Sequence, residues 1–145
     1  MIVARDIEIL LVEPDATEAR AATAILKRAR VRNHVTVAHN AAQALAHLLR
    51  EGSHYRAPRP NLILLSADNL PDRGQELLGE IKSDGHLLHI PIVFMSASES
   101  DAHVRAAYDL DANCYVQKPL DEEQMNRALE TTREFWLTIA KLPFD

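Results

Sequence analysis

Apolar positions along the chain follow two spacings. Short runs of strand length occupy 7–12, 62–65, 92–95 and 114–116, with a weaker fifth at 35–38. Three of them are continuous rather than alternating, as in strands of a parallel sheet covered by helices on both faces. Between the runs the spacing turns helical. Ala19, Ala22, Leu26 and Ala29 form one stripe, Ala41, Ala44 or Leu45, and Leu48 a second, and Leu77, Leu78 and Ile81 a third before Pro91. Val104, Ala107, Tyr108 and Leu110 mark a further helix after Met95. Helix starts are signed as well: Asp15 with Glu18, Asn40 with Gln43, Ser98 with Asp101 and Asp121 with Gln124 each place a capping side chain three residues before an acid or amide.

Regular alternation of strand and helix predicts an α/β fold, a doubly wound parallel sheet with right-handed crossovers. In such a sheet the functional crevice lies outside the carboxyl ends of the strands. The connection 51–61, rich in Gly, Ser, Pro and Arg, reads as a surface loop.

Composition narrows the picture. At 145 residues with 47% apolar content the chain has one domain's worth of core and needs no disulfide or metal staple. A lone cysteine, Cys114, and no apolar leader point to a reducing, cytoplasmic setting, and no run is long enough to span a membrane. The formal charge of −5 and the few aromatics argue against nucleic acid as a partner. The one dense basic patch, Lys27, Arg28, Arg30 and Arg32, falls at a helix end, where cations offset the helix dipole. His86 and His89 lack companions for a zinc set, and no hydrolase elbow, phosphate-binding glycine loop or dinucleotide fingerprint is present.

Chemistry gathers where the strands end. Glu13, Pro14 and Asp15 follow the first strand, Ser66 and Asp68 the third, Ser96 the fourth, and Lys118 and Pro119 the fifth. Carboxylates, hydroxyls and an ammonium together suit a hard divalent cation and phosphate oxygens.

These residues resemble the response-regulator receiver domains of two-component signalling. The stretch from Leu10 to Glu13, Ser96, and the run Tyr115-Val116-Gln117-Lys118-Pro119 carry the likeness. A narrower likeness, to the single-domain regulators of bacterial and cyanobacterial phytochromes, rests on Ala57-Pro58-Arg59-Pro60-Asn61, Ala112-Asn113-Cys114-Tyr115, and the ending Phe135-Trp136-Leu137-Thr138 with Lys141-Leu142-Pro143. The resemblance implies a five-stranded (βα)5 flavodoxin-like sheet of order 2-1-3-4-5. It also implies residues 1–145 as one receiver domain, with 120–145 as an extended C-terminal helix and arm, and a phytochrome-type histidine kinase as partner. No enzymatic turnover is implied beyond self-phosphorylation and dephosphorylation of a receiver aspartate. Tyr115 stands where the family places a rotating aromatic switch; covering the sheet edge is its plainer role.

Departures from the family pattern are informative. The phosphoacceptor aspartate falls, counting back from Gly74, on Ser66, and the acid that ligates Mg²⁺ directly falls on Pro14. Mg²⁺ is therefore expected to bind weakly or not at all, with Glu13 and Asp15 as the remaining acids. Asp15 is better explained as a helix cap. Ser66 has no adjacent base to make it a nucleophile and is expected to bond locally, to Lys118. Two readings stay open: an atypical pseudo-receiver that acts by binding protein, and a phosphorylatable receiver using Asp68, two residues on and on the same side of an extended chain.

Met125, Leu129, Thr132, Trp136 and Ile139 form one docking stripe on the last helix. Phe135, Leu137 and Leu142 fall off it, so a second apolar face is expected to seek a homodimer partner, through Phe135, Leu137, Leu142, Pro143 and Phe144.

Overall fold

A computed structural model of the chain describes residues 6–52, 55–66, 72–96, 114–118 and 120–136. Five strands, β1 (Ile7–Val12), β2 (Asn33–Ala38), β3 (Leu62–Ser66), β4 (Ile92–Ser96) and β5 (Cys114–Gln117), form one parallel sheet in the order β2-β1-β3-β4-β5. Helices α1 (Ala16–Lys27), α2 (Ala41–Leu48), α3 (Asp72–Ser83) and α4 (Glu122–Glu134) pack on its faces. The helix expected from Ser98 onward lies outside the described residues, as do Asp68, Leu137, Leu142, Pro143 and Phe144, and the side chain of Tyr115.

The continuous apolar runs have a direct cause: both faces of each central strand are covered. Leu10, Ile63 and Phe94 face one way, against Ala44 and Leu48 of α2 and Leu78 of α3. Ile9, Leu11 and Leu64 face the other, against Ala22 and Leu26 of α1 and Leu129 of α4. Strand β2 begins at Asn33, two residues before its apolar pattern does, because an edge strand pairs on one side only and leaves His34 in solvent. Strands β3 and β4 each run one residue further than their apolar pattern, into Ser66 and Ser96. Both hydroxyls are thereby fixed by the sheet.

Three of the expected caps are in place. Asp15, Asn40 and Asp121 accept the backbone N–H of Glu18, Gln43 and Gln124 at 2.9, 2.8 and 2.7 Å. The basic cluster after α1 does more than offset a dipole. Arg28 pairs with Glu122 at 2.7 Å and Arg30 with Glu130 at 3.1 Å, so α1 is tied to α4, while Arg32 pairs with Asp6. On α4, Met125, Leu129 and Thr132 are buried as the stripe predicts. One turn on, the half-buried Trp136 indole donates to the Asn61 carbonyl at 2.8 Å, and Phe135 packs edge-on against it.

Candidate functional site

Sheet order brings the site together. Strand β1 lies beside β3 and β3 beside β4, so Glu13, Ser66 and Ser96 leave the sheet as neighbours at its carboxyl end. Lys118, one residue beyond β5, is steered back over them by its own backbone, whose N–H donates to the Ser96 carbonyl at 2.8 Å.

The Lys118 ammonium is the centre of the site. It donates to Glu13 Oε1 at 2.6 Å, to Ser66 Oγ at 3.0 Å and to Glu18 Oε2 at 3.1 Å. The Lys118 and Glu13 side chains are 8% and 4% exposed, so this pair sits in a low-dielectric pocket where each charge depends on the other. The Glu18 side chain, the third partner, is 47% exposed. Ser66 bonds Lys118, as its sequence context suggested, and Ser96 is fully buried beside it.

The acids of the first turn share the work unexpectedly. Asp15 accepts from the Glu18 N–H and is exposed, which makes it a cap in this structure. In a capping box the third residue of the helix reaches back to the cap's own N–H. Here Glu13 Oε2 takes the Asp15 N–H, at 3.1 Å, and the Glu18 carboxylate is left to reach Lys118. Glu18 is the site residue that sequence reasoning missed. Its spacing from Asp15 marked it as a capping partner, and no local pattern shows that this helix start faces a lysine 100 residues away.

A divalent cation of the Mg²⁺ type needs several oxygen ligands in near-octahedral array. The described residues do not offer them. Among the described residues Glu13 is the one buried acid of the pocket, both its oxygens are engaged, and its Oε1 is met by the Lys118 ammonium. Pro14 and Ser66 bring no carboxylate. Among the described residues, no three His, Cys, Asp or Glu side chains are grouped to hold a metal ion, and no helix is long and apolar enough to cross a membrane.

Comparison with known proteins agrees with this geometry at the level of the fold. The response regulator receiver domain family matches residues 9–130. The response regulator Rcp1 of Synechocystis is 35% identical over 136 residues, covering 93% of this chain and 92% of that one. Among solved structures, the phosphorylated cyanobacterial phytochrome response regulator RcpA is 37% identical, with a TM-score of 0.74 over 97% of this chain and 100% of that chain. The Mn²⁺-bound form of Rcp1 is 34% identical, with a TM-score of 0.71 over 95% of this chain and 99% of that chain.

Proposed function

The chain belongs to the response-regulator receiver family, and from that premise we propose that it serves a phytochrome-type sensor kinase as an atypical single-domain regulator, acting by binding protein rather than by taking phosphate onto an aspartate. One observation carries the reading: the Lys118 ammonium is already bound by Glu13, Glu18 and Ser66. RcpA is known as a phosphorylated protein and Rcp1 in a Mn²⁺-bound form. In this chain the residue at the acceptor position is a serine, and the described donors suit an ammonium better than a metal ion. A lysine engaged by two carboxylates is poorly placed to meet a phosphoryl group, because leaving would strand Glu13 in the interior. Signal transfer then rests on the protein's surface. We assign self-association of this 1–145 unit to Phe135 together with the sequence positions Leu137, Leu142, Pro143 and Phe144.

The test is intact-mass measurement after incubation with acetyl phosphate and Mg²⁺, alongside binding to a phytochrome-type kinase. No adduct, with kinase binding retained, is the expected result. A single phosphoryl adduct that hydroxylamine removes and Asp68→Asn abolishes would overturn it in favour of a phosphorylatable receiver.

A further inference from the structure

Ser66 Oγ lies 3.0 Å from the Lys118 nitrogen, so a carboxylate at position 66 would fall within reach of the same ammonium. The chain places a hydroxyl there, yet among the described residues Lys118 still meets two carboxylates. The second comes from α1. Three observations make the Glu18 contact specific. Its backbone N–H is fixed by Asp15, which sets the helix start. Its usual duty toward the cap is taken by Glu13, which leaves its carboxylate unneeded there. It then crosses to Lys118 at 3.1 Å, on the solvent side of an otherwise buried pair.

We infer that Glu18 is a positioning residue that stands in for the carboxylate absent at position 66: the acid that accompanies Lys118 has moved from the end of β3 to the first turn of α1. The start of α1 and the end of β5 are thereby joined through one ammonium. For its functional meaning the inference rests on the phosphate-independent reading above. An exposed acid on α1 thus helps hold the lysine in place.

Relocation makes a prediction that ordinary stabilisation does not, namely that the two positions compensate for one another. Glu18→Gln, Ser66→Asp and the double variant are compared with the parent in chelator-treated, phosphate-free buffer. The readouts are urea unfolding and the ¹H–¹⁵N resonance of the Lys118 side-chain ammonium. Glu18→Gln raises the unfolding equilibrium constant about two- to fivefold, the range of partly exposed ion pairs, and shifts or broadens the Lys118 signal. Ser66→Asp alone also destabilises, since a further carboxylate then crowds Glu13 and Glu18 around one ammonium. In the double variant the unfolding constant and the Lys118 signal return toward the parent.

Equal damage from Ser66→Asp in both backgrounds would overturn the inference, as would a Lys118 signal indifferent to Glu18→Gln. If Ser66→Asp prevents folding in both backgrounds, the Glu18→Gln spectrum decides alone: a shifted signal supports the inference and an unchanged one overturns it. A phosphoryl adduct in the mass experiment would defeat the functional reading while leaving this compensation intact, so the two can fail separately.

Discussion

At the amino end of β1, besides the Arg32–Asp6 and His34–Glu8 pairs, a clasp of neutral groups holds the chain. Asn61 accepts the Glu8 N–H through its side chain at 2.9 Å and returns its own N–H to the Glu8 carbonyl at 2.7 Å, while its carbonyl takes the Trp136 indole. At the carboxyl end the same strand is held by charge, with Lys118 on Glu13. Both ends tie a late part of the chain to an early strand. Their energetics differ in kind. A neutral hydrogen-bonded clasp contributes modestly and costs little desolvation, whereas a buried ion pair gives back in desolvation most of what its attraction supplies. A neutral clasp would have sufficed for stability alone. That the carboxyl end keeps a buried lysine and glutamate instead agrees with a receiver ancestry in which that end performed chemistry.

The most severe way to break the comparison is Lys118→Ala. It leaves Glu13 buried without its cation, and the expected loss is about 3–5 kcal/mol by urea unfolding. Glu13→Leu combined with Lys118→Met removes both charges and should recover most or all of that loss, because the desolvation cost disappears with the attraction. A double variant as unstable as Lys118→Ala would show that the ionic clasp is needed for the fold itself. At the other end Asn61→Ala leaves the Glu8 N–H unpaired and should cost about 1–3 kcal/mol, with no effect on the Lys118 ammonium resonance. Arg28→Ala removes an ion pair whose side chains are 63% and 55% exposed, so its effect should stay within about 1 kcal/mol and vanish in high salt.

The two ends also differ in how far the sequence disclosed them. Strand runs at 7–12, 62–65 and 92–95 were legible because a fully covered parallel strand is apolar without interruption, and Asp15, Asn40 and Asp121 because capping is a local, short-range device. Strand β2 was read short since an edge strand tolerates Asn33 and His34. The bond from Lys118 to Ser66 followed from family position and strand-end geometry. Glu18 did not follow, nor did the tie from Trp136 to Asn61. Each is a contact across 75 or more residues, decided by which helix face meets which strand end, and no periodicity encodes that pairing. The Arg28 and Arg30 pairs with α4 were hidden for the same reason, behind a local explanation that accounted for the charges without naming their partners.

The central claim is that this receiver pocket is filled by its own lysine in place of a metal ion, and titration with Mn²⁺ tests it most directly. Paramagnetic broadening of backbone resonances would be followed across the whole protein in phosphate-free buffer. The account predicts weak, non-saturating broadening spread over exposed carboxylates, with Glu13 and Ser66 no more affected than the rest. Saturable broadening centred on Glu13, Ser66 and Lys118 at one ion per chain would contradict it.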